Sequence, residues 1–195
     1  MKIDIVAQPG ERVRVAERIL LRLPQWFGNP PATAAYIAES AGQEVLAAWP
    51  DPGDATAPDE HPTAPGDTTA TRPDDATAPD EHPTAPGGAH SPDGAVGFLA
   101  LQRHYPASCE IAVMGVDPAW HRRGVGRALV EAAIARCRAQ GVRFLTVKTL
   151  DASHPDPGYA RTRAFYAAMG FTPLERFPEL WDPSQPALML IAYLG

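Results

Sequence analysis

The sequence predicts an α+β fold: a central mixed, mostly antiparallel sheet flanked by helices. Three observations carry this. Along the 195 residues, apolar positions switch between a period of two and a helical period, giving the element order βααβ–ββαβαββ. Two apolar runs, 95–104 and 109–116, face each other across a tight turn at Pro106, which favours antiparallel pairing. An apolar fraction of 45% supplies the core of a globular domain.

Each element has its own signal. Met1 to Val6 alternates like a strand. Arg12 to Trp26 reads as a helix, because Val13, Ala16, Ile19, Leu20 and Leu23 recur at helical spacing and Pro24 interrupts only near the end. Gly28-Asn29-Pro30-Pro31 reads as a break, and Ala32 to Ala41 as a second short helix. Glu44 to Trp49, Ala95 to His104 and Cys109 to Val116 are strands. Gly124 to Gln140 is the central helix, closed by Gly141. Val142 to Leu150 is a strongly apolar strand, Tyr159 to Met169 a helix stopped by Gly170, and Phe171 to Phe177 and Ala187 to Tyr193 are the last strands.

Residues 51–93 interrupt this pattern. Asp54 to Gly66 recurs identically as Asp75 to Gly87, and the segment holds no Val, Ile, Leu, Met, Phe, Trp, Tyr or Cys. So little apolar surface cannot offset the entropy of ordering the chain, so a disordered insertion between two strands is expected. Residues 1–195 then form a single domain with one interruption. The repeat cannot stack as a solenoid, which needs apolar residues. His61, His82 and His90 in a proline-rich tract make no preorganised metal site, so no metal is expected.

The net charge of −6 is unevenly spread: residues 51–93 hold ten acidic residues and Arg72, a balance of −9 that leaves +3 elsewhere. A mildly basic domain suits an anionic ligand and argues little for nucleic acid. No apolar run approaches the ~20 residues of a membrane span, and the N-terminus lacks a signal peptide's apolar segment. Cys109 and Cys137 are too few for a disulfide framework and read as buried thiols. These features together predict a cytoplasmic protein without membrane or nucleic-acid partners.

The most informative stretch is Val116-Asp117-Pro118-Ala119-Trp120-His121-Arg122-Arg123-Gly124-Val125-Gly126-Arg127. A strand, a basic turn with two glycines, then a helix presents free N–H groups and the positive end of the macrodipole to an anion. Gly124 and Gly126 leave the backbone bare, and Arg122, Arg123 and Arg127 add charge. An ordinary helix start with a solvated basic turn is the other reading of these residues. About forty residues on stands Arg163-Ala164-Phe165-Tyr166-Ala167-Ala168-Met169-Gly170-Phe171.

In this order the two stretches resemble the GNAT superfamily of acyl-CoA-dependent N-acetyltransferases. The resemblance covers nearly the whole chain outside 51–93 and names no substrate. It implies a GNAT-type acyl-CoA N-acyltransferase fold, acetyl-CoA as co-substrate, and no metal. It implies a pyrophosphate on the amides of Arg122, Arg123, Gly124, Val125, Gly126 and Arg127. It also implies a pantetheine arm along Met114, Gly115 and Val116, where the family's fourth and fifth strands splay. Gly115 is compatible with a bulge there or with relief of crowding, and a backbone N–H near Met114 would polarise the thioester carbonyl and stabilise the tetrahedral oxyanion.

The implied reaction is direct attack by a primary amine in a ternary complex. A small-molecule amine is the first expectation; a protein or peptide amine is the alternative, and a non-catalytic acyl-CoA-binding regulatory module the rival of another class. An interaction protein built on the acidic tract is a further rival. An alkylamine is protonated at neutral pH, so a base must take its proton. Glu110, fourteen residues before Gly124, matches the spacing of the catalytic glutamate in the family's histone-acetyltransferase branch. Its parity predicts a shared face with Ala112, Met114 and Val116; a solvent-edge glutamate, or one paired with Arg103, is the bland reading. His104 is the alternate base.

Tyr166 stands where many members place the acid that reprotonates the CoA thiolate; it could equally be a packing residue between Phe165 and Phe171. His121 replaces the family's frequent Gln or Arg, and Tyr159 its frequent asparagine. His154 and Asp156, in the loop before Tyr159, either meet the acceptor or build a turn. The acceptor pocket falls on Trp26, Phe27 and Tyr36, with Phe177, Trp181 and Asp182 opposite, unless the first three are simply core. A homodimer is compatible with the family, and nothing in the sequence locates an interface.

Overall fold

The computed structural model describes residues 1–51 and 90–195; the repeat and most of the 51–93 insertion, residues 52–89, lie outside the described residues. In chain order the elements are β1 (Lys2–Val6), α1 (Pro9–Leu20), α2 (Pro30–Glu39), β2 (Glu44–Trp49), β3 (Gly97–Tyr105), β4 (Ser108–Val116), α3 (Val125–Ala139), β5 (Phe144–Leu150), α4 (Pro157–Ala168), β6 (Thr172–Asp182) and β7 (Gln185–Tyr193). This is the order read from the sequence. The strands form one sheet, β1-β2-β3-β4-β5-β7-β6, in which β4 and β5 run parallel and every other neighbouring pair is antiparallel. No described helix is long and apolar enough to cross a membrane.

Prolines set the helix ends differently from the apolar spacing. The first helix starts at Pro9, where a missing N–H costs nothing. It stops at Leu20 instead of reaching Trp26, because Pro24 has no N–H for the Leu20 carbonyl and its ring would meet that carbonyl. The chain leaves through turns, with Leu23 N donating to Leu20 O and Phe27 N to Leu23 O. The expected break at 28–31 is partly the start of α2: Asn29 Oδ1 accepts from Ala32 N at 3.1 Å, and Pro30 and Pro31 fill the first turn. A Cβ at Gly28 would lie 2.8 Å from Pro24 O, so only glycine fits that corner.

Two cores lie on opposite faces of the sheet. On one, Val15, Ala16, Ile19 and Leu20 of α1 pack against Val45, Ala47, Phe98 and Val113. On the other, Leu129, Val130, Ala133 and Cys137 of α3 pack against Leu99, Ile111, Leu145 and Val147, with Tyr166 of α4. Cys109 and Cys137 are free and buried, as their surroundings in the sequence predict.

The fourth strand is irregular at one position that matters. Ala100 pairs with Val113, but Leu101 pairs with Ile111, so Ala112 is an extra residue: a bulge. Two expectations are corrected by it. The bulge is at Ala112 and not at Gly115, whose lack of a side chain instead lets α1 come close; a Cβ there would lie 2.8 Å from Ile19 Cγ2. The bulge also reverses side-chain parity. Cys109 and Ile111 join Met114 and Val116 on the α3 face, so Glu110 falls with Val113 on the α1 face, opposite Met114 and Val116.

Pairing between β4 and β5 also ends at the bulge. It runs from Ser108 and Phe144 to Ile111 and Val147 and goes no further, although β4 continues to Val116 and β5 to Leu150. The two parallel strands therefore splay where the resemblance implies.

Candidate functional site

The site has two sides, one on each face of the splay. The α3 side is built of backbone. Asp117 N donates to Val96 O across β3, so by strand alternation Met114 and Val116 turn their peptide groups the other way, into the gap that β5 leaves. Gly115 turns its own toward β3. His121 caps this edge, its Nε2 2.8 Å from Val116 O. Asp117 fixes the turn that follows: Oδ1 accepts from Ala119 N at 3.0 Å, and Oδ2 lies 3.1 Å from Arg22 Nε.

The turn then winds through two left-handed residues, Arg122 (φ 61°) and Gly124 (φ 82°). A Cβ at Gly124 would meet nothing within 4 Å, so the glycine answers the dihedral and not crowding. The first intrahelical bond of α3 is Ala128 N to Gly124 O, which leaves the amides of Val125, Gly126 and Arg127 without intrahelical partners. Val125 buries its side chain, so only its amide is available. Arg123 lies over the buried Trp120 ring at 4.9 Å, and Arg127 pairs with Glu131 at 3.6 Å. Unpaired amides, cations and an open strand edge in one line fit a long ligand with an anionic end and an amide-bearing arm.

The α1 side is built of side chains. Glu110 Oε1 is 2.5 Å from Lys148 Nζ, and Oε2 is 2.7 Å from His104 Nε2. The three side chains are 11%, 24% and 49% exposed respectively, so the carboxylate sits beneath its two partners. Neither bland reading of Glu110 holds: it is buried, and Arg103 turns away to Gln140 Oε1 (3.2 Å) and Pro106 O (2.6 Å). A carboxylate only accepts, so Nε2 is the donor in this contact.

Trp26, Phe27 and Tyr36 lie half-buried against the α1 core, and Tyr36 is near enough to Glu110 to feel its charge. Phe27 meets Tyr36 edge-on at 6.1 Å, and Trp26 meets His121 edge-on at 5.9 Å. Burial pushes the Tyr36 phenol above its ordinary value, and the charges of Glu39 and Glu110 push it the same way. Burial likewise raises Tyr159, with Tyr36 and Asp156 adding. Tyr159 OH donates to Trp26 O at 3.3 Å, so this residue serves the α1 side. Of the residues expected opposite, Phe177 is half-buried, while Trp181 and Asp182 stay exposed by the tip of the β6–β7 hairpin.

Tyr166 is 4% exposed and lies edge-on between Phe165 (5.2 Å) and Phe171 (5.4 Å). Its burial raises the phenol strongly, so it keeps its proton at neutral and mildly alkaline pH. In the preceding loop the turn-building reading prevails. Asp156 Oδ1 accepts from Gly158 N (2.7 Å) and Tyr159 N (3.0 Å), capping α4, and His154 Nδ1 accepts from Asp156 N (3.3 Å). Sequence reasoning missed Lys148, although it is the one charge inside the apolar strand 142–150 beyond Arg143 at its edge.

Known proteins share this architecture. Residues 88–173 match the family model of the acetyltransferase (GNAT) domain. A stretch of 68 residues, 35% of the chain, is 41% identical to mycothiol acetyltransferase of Beutenbergia cavernae and spans 21% of that enzyme, so the match reaches about a fifth of this relative's length. A solved GNAT-family structure from Desulfovibrio desulfuricans superposes with a TM-score of 0.65 at 14% identity, covering 100% of both chains. An aminoglycoside 6′-N-acetyltransferase complexed with coenzyme A superposes with a TM-score of 0.62 at 14% identity, over 100% of this chain and 98% of that one. At such identities the structural likeness is one of fold. Residues 88–173, which hold the splay, the anion turn and the α4 pattern, are thus similar to the GNAT acetyltransferase domain, on a fold that these solved structures share.

Proposed function

We propose that this chain is an N-acetyltransferase that moves an acetyl group from acetyl-CoA to a primary amine of a small molecule, by direct attack in a ternary complex. The bulge at Ala112 carries the reading. It ends the pairing of β4 with β5, which opens the α3-side gap, and it turns Glu110 to the other face, beside Tyr36. One irregularity thus sets a donor groove and a buried carboxylate back to back.

The amides of Val125, Gly126 and Arg127, with Arg122 and Arg123 beside them, would hold the pyrophosphate, and the peptide groups of Met114 and Val116 the arm. Acetyl-CoA, when bound, supplies the activated acyl group. A Met114 amide directed into the gap is placed to polarise a carbonyl oxygen. Glu110 takes the amine's proton, directly or through water, while Lys148 and His104 fix its orientation. Tyr166, kept protonated by burial, gives its proton to the departing sulfur.

Relatives named for mycothiol and for aminoglycosides support a small-molecule acceptor. The aromatic group Trp26, Phe27 and Tyr36 suits the apolar part of a cationic amine. We read residues 1–195 as one cytoplasmic domain in which 51–93 is an insertion outside this machinery.

The test is release of free CoA thiol from acetyl-CoA against aminoglycosides, polyamines, amino acids and short lysine peptides, with Glu110→Gln and Tyr166→Phe run alongside. Turnover with one small-molecule class, slowed in both variants, is expected. Turnover with lysine peptides alone would move the acceptor to protein. Acetyl-CoA binding without turnover, unaffected by either substitution, would make the chain a binding module.

A further inference from the structure

Among the described residues, two fully buried side-chain atoms have no hydrogen-bond partner: Gln43 Oε1 and Thr149 Oγ1. Their settings differ. Gln43 lies in the turn before β2. Thr149 lies in β5, two residues beyond Val147, the last position at which β5 is bonded to β4. A buried hydroxyl without a partner destabilises a fold, and native proteins seldom keep one without a reason.

Nothing nearby relieves it. On one side Thr149 pairs in register with Leu188 of β7, an apolar neighbour. Arg163 of α4 comes to the same end of β5 but donates to Leu150 O (2.8 Å) and Asp151 O (3.3 Å). By strand alternation Thr149 shares a face with Leu145 and Val147, which belong to the core beneath α3 and α4. This is also the face of Met114, Val116 and Tyr166. The orphaned hydroxyl therefore sits at the mouth of the splay, on the face where the α3 amides begin, at a residue only 3% exposed.

We propose that Thr149 is a donor-binding residue: its hydroxyl pairs with an amide of the pantetheine arm where that arm passes between β4 and β5. This rests on the acyl-CoA reading given above. The chemistry matches, because a threonine hydroxyl can donate to an amide carbonyl or accept from an amide N–H, and the arm carries both. Valine has the same shape without the hydroxyl, and at a position serving only the fold it would be the better residue. Threonine thus trades stability of the free protein for affinity.

The experiment titrates coenzyme A and adenosine 3′,5′-bisphosphate, the nucleotide end without the arm, into wild type, Thr149→Val and Thr149→Ser by calorimetry. It also records thermal unfolding of each free protein. Thr149→Val should bind coenzyme A about tenfold more weakly, bind the bisphosphate like wild type, and unfold at the same or a higher temperature; Thr149→Ser should restore affinity. Unchanged coenzyme A affinity in Thr149→Val, equal weakening of both ligands, or a lowered unfolding temperature would each overturn this role while leaving the acyl-CoA reading standing. Failure of wild type to bind coenzyme A would overturn both.

Discussion

Across β4 the molecule changes its way of making a site. On the α3 side most candidate groups are peptide groups and a helix start, in one run from Met114 to Arg127, joined by the side chains of Thr149 and Tyr166. On the α1 side they are side chains from six places: His104 on β3, Glu110 on β4, Lys148 on β5, Trp26 and Phe27 after α1, Tyr36 on α2, and Tyr159 on α4. Peptide groups are supplied by every residue, so the first side depends on dihedrals and on β5 being elsewhere. The second depends on which residue stands where and on the parity that the bulge imposes. Substitutions on the two sides should accordingly move different quantities.

The largest effect is expected at the α3 turn. Gly124 holds φ 82°, which a β-branched residue resists. Gly124→Val should weaken coenzyme A binding on the order of 100-fold by displacing amides from the anion, with Glu110, Lys148 and His104 undisturbed. Calorimetry checks this, and unchanged affinity would remove the turn from the site. On the other side, Glu110→Gln should lower kcat about 100-fold and leave coenzyme A affinity unchanged. A fall in affinity instead of kcat would erase the division between the two sides.

Lys148→Met tests whether the carboxylate needs its cation. It should cost about 1–3 kcal/mol of stability in urea unfolding, because a largely buried acceptor loses its charged partner, together with roughly a tenfold loss of kcat. A loss of stability alone would make Lys148 structural.

The smallest effect concerns alkaline pH. Burial raises the phenols of Tyr36, Tyr159 and Tyr166, so the folded chain keeps protons that the unfolded chain releases. Their contribution to stability is full below the ordinary phenol value of about 10 and is lost as pH rises from there toward the raised values. Tyr36→Phe should therefore flatten the fall in thermal stability above about pH 10. A variant that falls as steeply as wild type would place the Tyr36 phenol in open solvent.

Legibility followed the same division. The anion turn could be read because its signal is contiguous: Gly124 and Gly126 stand in one short basic stretch, although only Gly124 takes a positive φ. Element order was readable because apolar periodicity is local, and the ends of α1 were misplaced because the spacing of Leu23 outweighed the reach of Pro24 back to the Leu20 carbonyl. Glu110 was recognisable by its distance from Gly124, yet its face was wrong. Alternation carries across a strand only if no residue is inserted, and nothing local marks Ala112 as the extra one.

By itself, then, the sequence determined the α+β order of elements, the turn from Asp117 to Arg127, and the burial of both cysteines, since each rests on neighbours within a few turns of chain. Only the tertiary structure decided that β4 and β5 part after Ile111 and Val147, that Lys148 and not Arg103 meets Glu110, and that Thr149 is left without a partner. The physical reason is that these are relations between strands. Register, bulge and splay are fixed by how separate apolar faces settle against α1 and α3, and no single segment contains them.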